Sequence, residues 1–254
     1  MPAFRISLFF LVALVAVGLG FIFSAAVASV LGLLLMAFAT RMLFRSPAGY
    51  VWGLPLSSRG VGSYLLALVC GAACFFVLQV LLRRADATLE WRWNDAVWAT
   101  CVTVWFQSLL EEVLFRGLLL RQWLMRSKLS LWQVNFSLSA MFSLFHWLNY
   151  FAAERTFLDP TTLLTLFLLA LAGNLMVVAQ GHLYGAWGYH AGWNMLRYSF
   201  LLTVSGQKVG EGESFNRIEG SVEGVGIALT LLIAVVILYF LHTRRNDVES
   251  PVRS

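Results

Sequence analysis

Residues 108–117 read Ser-Leu-Leu-Glu-Glu-Val-Leu-Phe-Arg-Gly, and this run lies inside an apolar stretch that covers residues 96–120. A stretch of this length and composition predicts a membrane-spanning helix. Carboxylates are costly at membrane depth, so an acid inside a span is a functional candidate by default. Glu111 and Glu112 are therefore the first candidates for a site.

The composition of the whole chain is that of a polytopic membrane protein. Of its 254 residues 59% are hydrophobic and only 12% are charged, whereas a soluble domain carries about 25% charged residues. The net charge is +5, but the basic residues lie beside apolar segments. This pattern indicates orientation in a membrane rather than binding to nucleic acid. The three cysteines all lie in apolar stretches and form no CxxC pair, so no disulfide framework is predicted.

The apolar segments predict an all-α fold, a polytopic membrane helix bundle of about eight transmembrane helices. Residues 6–44 are too long for one span and predict two helices with a turn near residues 20–24, with one long tilted helix as the alternative. We expect this N-terminal run to be a retained anchor, because no clear signal cleavage site stands out. The other predicted spans are residues 62–82, 96–120, 131–151, 161–179, 183–204 and 224–242, and the stretch 205–223 is predicted to be a polar loop.

An even number of helices places both termini on one side of the membrane. Lys and Arg side chains number eleven on one predicted face and six on the other. The first group is Arg5, Arg41, Arg45, Arg59, Arg116, Arg121, Arg126, Lys128, Arg244, Arg245 and Arg253, and the second is Arg83, Arg84, Arg92, Arg155, Lys208 and Arg217. The positive-inside rule then predicts that both termini are cytoplasmic.

The spacing of the charged residues in the fourth predicted span suggests two different roles for its acids. Glu112 and Arg116 are four residues apart and share a helix face, so they are expected to form a buried ion pair. Glu111 is rotated from Glu112 by about 100° and is not expected to share that arrangement fully. Glu111 is therefore the stronger candidate for chemistry.

Two later spans carry further polar side chains. His146 ends the run Phe-Ser-Leu-Phe-His, and His190 and Asn194 are four apart on one helix face. Together with Glu111 these groups supply a base for water and donors for an oxyanion, which peptide hydrolysis requires. Zinc held by two histidines and one glutamate is the alternative use of the same side chains.

Three motifs resemble those of the CAAX protease and bacteriocin-processing family, the type II CAAX prenyl endopeptidase group. Glu111 to Arg116 is similar to its EExxxR motif, Phe142 to His146 to its FxxxH motif, and His190 to Asn194 to its HxxxN motif. The three occur in the expected order on separate predicted helices. The resemblance implies a central catalytic core at 96–204, flanked by N-terminal helices at 1–95 and by a loop, last helix and tail at 205–254.

The resemblance also implies roles for individual residues and an activity. Glu111 is expected to activate water with help from His146, His190 and Asn194 to form the oxyanion hole, and Glu112 and Arg116 to support the site. The expected function is intramembrane endopeptidase cleavage of a membrane-associated protein or peptide. No cofactor is expected, and the alternative is zinc bound by Glu111, His146 and His190.

Two other functions remain open from the residues alone. One is a proton-coupled transporter or channel that uses Glu111 and the histidines as a relay, although no internal repeat supports it. The other is a catalytically silent membrane scaffold. In each case the expected partner is the lipid bilayer, with no nucleic acid, and the expected location is a bacterial inner membrane.

Overall fold

A computed structural model describes residues 25–44, 48–81, 87–91, 94–154, 157–204, 207–208 and 211–249. The described part is predominantly helical, as predicted, with three short strands in addition. The first half of the predicted 6–44 segment and the basic residues Arg5, Arg45, Arg83, Arg84, Arg92, Arg155 and Arg253 lie outside the described residues. The chain divides into two compact units, formed by residues 1–75, 91–121 and 182–200 and by residues 76–90, 122–181 and 201–254.

The first unit contains the helices that carry most of the candidate site. Its helices are α1 (Ala25–Phe44), the short α2 (Ala48–Trp52), most of α3 (Ser58–Leu81), α4 (Asp95–Glu112) and α8 (Tyr184–Tyr198). A π-helical segment, Val113–Leu120, continues α4 without a break. α4 packs against both α1 and α8, and the π-helical segment packs against α2.

The second unit is built around α7. Its elements are α5 (Arg121–Arg126), α6 (Leu131–Glu154), α7 (Pro160–Gln180), α9 (Glu211–Ile218), α10 (Val222–Glu249), and the strands β1 (Ala87–Trp91), β2 (Phe200–Val204) and β3 (Gln207–Lys208). α7 packs against α6 and α10. The strands form a sheet in the order β1-β2-β3, and β2 pairs antiparallel with β3 through Thr203 and Lys208.

Buried polar side chains fasten the helices of the second unit to one another. The amide nitrogen of Asn174 on α7 donates to Asn135 Oδ1 at 2.8 Å and to Ser139 Oγ at 3.2 Å on α6. Ser143 on α6 donates to the carbonyl oxygen of Leu163 at 3.1 Å. Such contacts are typical of membrane helices, because lipid supplies no hydrogen-bond partners and no hydrophobic drive toward association.

Most predicted spans coincide with helices to within a few residues, although the last helix, α10, continues beyond its predicted end at residue 242 to Glu249. Two other boundaries are wrong. The seventh span was predicted to reach Val204, whereas α8 ends at Tyr198 and residues 200–204 form β2. Residues 205–223 were predicted to be loop, yet they contain β3 and α9. Both errors arise in short apolar or amphipathic runs, in which the spacing of apolar residues does not distinguish a helix from a strand.

Two left-handed glycines set the start of α8 and so the position of its site residues. Gly181 (φ 73°) closes α7, and its N–H donates to the carbonyl oxygen of Val177 at 2.8 Å. Gly53 (φ 78°) follows α2, and its carbonyl oxygen accepts from the N–H of Leu183 at 2.8 Å. A side chain would be strained at either backbone conformation, so glycine is required for these turns.

Among the described residues, three helices are long and apolar enough to cross a membrane, at Ser58–Leu78, Pro160–Gln180 and Val222–Leu241. A shorter apolar helical stretch covers Val27–Met42. The outer faces of these helices carry exposed large side chains such as Leu34, Leu66 and Leu238. In a bilayer these side chains contact lipid, so their exposure is not costly.

Candidate functional site

α4 delivers both glutamates of the EExxxR motif to the interior of the first unit. The helix begins with Asn94, whose side chain caps the N–H of Val97 at 3.0 Å, and it ends at Glu112. Glu111 and Glu112 are 8% and 2% exposed. The π-helical segment begins directly after them and contains Arg116. Segments of this kind are rare and occur frequently at functional sites.

The predicted ion pair between Glu112 and Arg116 is present. Arg116 Nη1 lies 2.9 Å from Glu112 Oε1, and both side chains are 3% exposed. The two residues are four apart and face the same way, as their spacing indicated. A buried carboxylate needs such a partner, because desolvation without compensation is costly.

His190 lies between the two glutamates and joins them into one network. Its Nδ1 is 3.0 Å from the same Glu112 oxygen that Arg116 contacts, and its Nε2 is 3.8 Å from Glu111 Oε2. Because a carboxylate only accepts hydrogen bonds, Nδ1 carries a proton and Nε2 is directed toward Glu111. Glu112 thereby selects the orientation of the imidazole.

Asn194 contacts α4 one turn away from the charged network. Its Nδ2 donates to Ser108 Oγ at 3.4 Å. His190 and Asn194 are four apart on α8, and Glu112 and Ser108 are four apart on α4. The two helices therefore run antiparallel along facing polar stripes, in which Glu112 meets His190 and Ser108 meets Asn194.

Glycines allow α8 to approach α3 closely. A side-chain carbon at Gly192 would collide with the carbonyl oxygen of Leu68, and one at Gly188 would collide with that of Tyr64. Gly188 and Gly192 are four apart, which is the small-xxx-small spacing of tightly packed membrane helices. This crossing fixes the axial position of His190, which lies between the two glycines.

Five of the six predicted site residues thus come together in the first unit: Glu111, Glu112, Arg116, His190 and Asn194. His146 belongs to α6 of the second unit and is half-buried there. Its Nδ1 lies 3.0 Å from the carbonyl oxygen of Phe142, four residues earlier, and its ring packs against the Phe142 ring at 4.4 Å. Since a carbonyl oxygen only accepts, Nδ1 is the protonated nitrogen of His146.

Within the part of the chain that the structure describes, no three His, Cys, Asp or Glu side chains are grouped so that they could hold a metal ion. That the protein works without a metal stays a prediction, which a metal assay can test.

Sequence reasoning missed three polar residues at or near this site. Gln107 Nε2 donates to Glu111 Oε1 at 3.4 Å, and Ser108 accepts from Asn194. The spacing of four to Glu111 and to Glu112 is a signal that could have found them. Arg197, one turn beyond Asn194, is 5% exposed and stacks on the ring of Tyr198 at 4.8 Å. As a cation inside an apolar span it could have been noticed.

Comparison with known proteins supports the resemblance that the motifs indicated. A family model described as type II CAAX prenyl endopeptidase Rce1-like matches residues 93–196, a range that contains all three motifs and covers less than half of the chain. No curated protein and no solved structure matches the chain. Residues 93–196 are therefore similar to the Rce1-like type II CAAX prenyl endopeptidases, and the long apolar helices indicate an integral membrane protein.

Proposed function

We propose that this protein is an intramembrane endopeptidase that hydrolyses a peptide bond of a membrane-associated protein or peptide, with Glu111 as the base that activates water. The observation that carries the proposal is the buried network in which His190 lies between Glu111 and Glu112 while Asn194 lies on the same face of α8. It assembles an acid–base group and oxyanion donors on two adjoining helices.

The two glutamates contact different partners. Glu112 Oε1 is shared by Arg116 at 2.9 Å and His190 at 3.0 Å. Glu111 Oε1 accepts from Gln107 at 3.4 Å, Glu111 Oε2 lies 3.8 Å from His190 Nε2, and the Glu111 side chain is somewhat more exposed. Because Glu112 is committed to its ion pair with Arg116, we assign the proton from water to Glu111.

The contacts of the network fix His190 in the orientation of an oxyanion donor. Its Nδ1–H is donated to Glu112, and its Nε2 is directed toward the side of Glu111. When it acts as a donor, His190 carries its second ring proton on Nε2. A donor fixed in this way requires no reorganisation when negative charge develops on the substrate carbonyl. Asn194 supplies a second donor through its amide.

His146 is proposed to assist the attack on the substrate. Its Nδ1–H is donated to the carbonyl oxygen of Phe142 on its own helix, so Nε2 is the ring nitrogen that takes part in proton exchange. That nitrogen can accept a proton or orient a water molecule. We propose that the reaction needs no metal, because water activation and oxyanion stabilisation are both supplied by side chains.

We further propose that the protein acts in a bacterial inner membrane with both termini in the cytoplasm. The excess of basic residues on the predicted cytoplasmic face is the basis for this orientation. This orientation can be tested by fusing to each terminus an enzymatic reporter that is active only outside the cytoplasm. We expect no reporter signal from either fusion, and a signal would contradict the assignment.

The function is tested by comparing the termini of membrane proteins in cells that contain wild-type protein, Glu111→Ala or Glu219→Gln. Glu219 is a matched control, because it is a buried carboxylate of the second unit. We expect new protein termini with wild type and with the control but not with Glu111→Ala. Identical termini in all strains would contradict the proposed peptidase activity.

A further inference from the structure

Ser108 lies on the face of α4 that contacts α8, and it carries no charge and belongs to none of the three motifs. Its side chain is fully buried. Its hydroxyl donates to the carbonyl oxygen of Val104 at 2.7 Å and accepts from Asn194 Nδ2 at 3.4 Å. A serine hydroxyl back-bonded to its own helix often only satisfies itself, but here it also contacts a proposed oxyanion donor.

We propose that Ser108 is a positioning residue that fixes the orientation of the Asn194 amide. This inference rests on the proposed function, in which Asn194 stabilises the oxyanion. A hydroxyl has one proton, and that proton is committed to Val104 O. Only lone pairs then face Asn194, so they select the NH2 end of the amide over its oxygen end.

The orientation of the amide leaves the second N–H of Asn194 Nδ2 for the substrate. One N–H is donated to Ser108 Oγ on α4, and the other is the oxyanion donor in the proposed mechanism. If the amide turned around, its oxygen would face both the lone pairs of Ser108 and the developing oxyanion. Both contacts would be repulsive, and stabilisation of the transition state by Asn194 would be lost.

The arrangement repeats the one at His190. Glu112 accepts from His190 at 3.0 Å, and Ser108, four residues earlier on α4, accepts from Asn194, four residues later on α8. α4 thus supplies one acceptor for each α8 donor. The 3.4 Å distance at Ser108 is longer than the 3.0 Å distance at Glu112.

The test compares kcat and KM of wild type, Ser108→Ala, Ser108→Thr, Asn194→Ala and the double variant Ser108→Ala/Asn194→Ala on one cleaved peptide in detergent micelles. Ser139→Ala is the matched control, since Ser139 is fully buried and accepts from an asparagine amide at 3.2 Å in the second unit. If Ser108→Ala does not fold, Ser108→Cys replaces it, because a thiol fills the site but is a weak acceptor.

We expect Ser108→Ala to lower kcat by about 10- to 100-fold with KM nearly unchanged. Threonine, which keeps the hydroxyl, should restore most of the rate, and Ser139→Ala should keep both constants. The double variant should be no slower than Asn194→Ala alone. An unchanged kcat, an effect on KM alone, or losses that multiply in the double variant would overturn the inference.

The outcome also separates this inference from the proposed function. If wild type does not cleave, or if Glu111→Gln cleaves as well as wild type, the proposed function is contradicted. If Glu111→Gln abolishes cleavage but Ser108→Ala cleaves as well as wild type, only the positioning role of Ser108 is contradicted.

Discussion

Two neighbouring glutamates in this protein contact different partners. One oxygen of Glu112 lies within 3.0 Å of both Arg116 and His190, and Glu111 contacts Gln107 and lies near His190 Nε2. Adjacent residues on a helix point in directions that differ by about 100°, so the same dipeptide can supply a structural and a reactive carboxylate. We assign the structural role to Glu112 because it forms the ion pair with Arg116.

Removal of Arg116 should destabilise the protein rather than yield a well-folded inactive enzyme. Arg116→Ala leaves Glu112 with one fewer cation in a buried position, and breaking a buried pair costs about 3–5 kcal/mol. We expect low yield and a lower melting temperature. Because an apolar replacement of a whole buried pair is often neutral, Glu112→Gln/Arg116→Met should recover part of the stability. An abundant Arg116→Ala protein with a normal melting curve would argue against this role.

Asn194 and His190 should act on the transition state and little on substrate binding. Asn194→Ala is expected to lower kcat by about 10²–10³-fold with KM nearly unchanged, and His190→Ala should behave alike. The double variant should lose less than the product of the two single losses. A rise in KM alone, or reduced melting temperature with full activity of the folded molecules, would assign these residues to binding or to structure.

The pairwise contacts within α4 and its π-helical continuation were predictable from spacing, whereas the contacts between α4 and α8 were not. The ion pair of Glu112 with Arg116 follows from their separation of four residues. The contact of Glu112 with His190 joins positions 78 residues apart, and that of Ser108 with Asn194 joins positions 86 apart. Single-sequence patterns carry no information on such pairs, so only the order of the family motifs indicated that the helices meet.

At the scale of elements, the π-helical segment and the α3–α8 crossing determine where the site lies. The sequence predicted a helix over residues 96–120 but not that its second part, Val113–Leu120, is π-helical, because apolar periodicity does not distinguish the two helix types. The small residues on α8 were a more direct signal. Gly192 lies beside His190 in the motif, and the structure places it and Gly188 against the backbone of α3.

A methyl group at Gly192 should separate the two helices and displace His190. We expect Gly192→Ala to lower both the melting temperature and the activity, because the added carbon would overlap the carbonyl oxygen of Leu68. Gly62→Ala is the matched control on α3, where nothing lies within 4 Å of the added carbon. If the two variants have equal melting temperatures and rates, the close crossing is not needed for the site.

At the scale of the whole molecule, the sequence predicted the helical class, the membrane location and most spans, since long apolar runs are strong signals. It missed the strands at residues 200–204 and 207–208 and the helix α9, since these are too short for their period to be distinctive. The division into two units that each combine distant segments also could not be read from composition, because it depends on contacts between segments far apart in the chain.

We predict that the peptidase works without metal. Purified protein should contain zinc well below one equivalent per chain, and its activity should survive a chelator. Addition of zinc should not raise the rate. About one equivalent of zinc, lost together with activity and restored with it, would overturn the metal-free mechanism and make Glu111, His146 and His190 candidate ligands.

The central claim is that Glu111 takes the proton from the attacking water. The most direct measurement is the kcat of Glu111→Gln against wild type on a cleaved peptide, with the melting curve of each protein recorded in the same detergent. Glutamine keeps the shape of the side chain but accepts a proton poorly, so kcat should fall by about 10²-fold or more while the melting curve stays cooperative. A folded Glu111→Gln protein with near-normal turnover would contradict the claim.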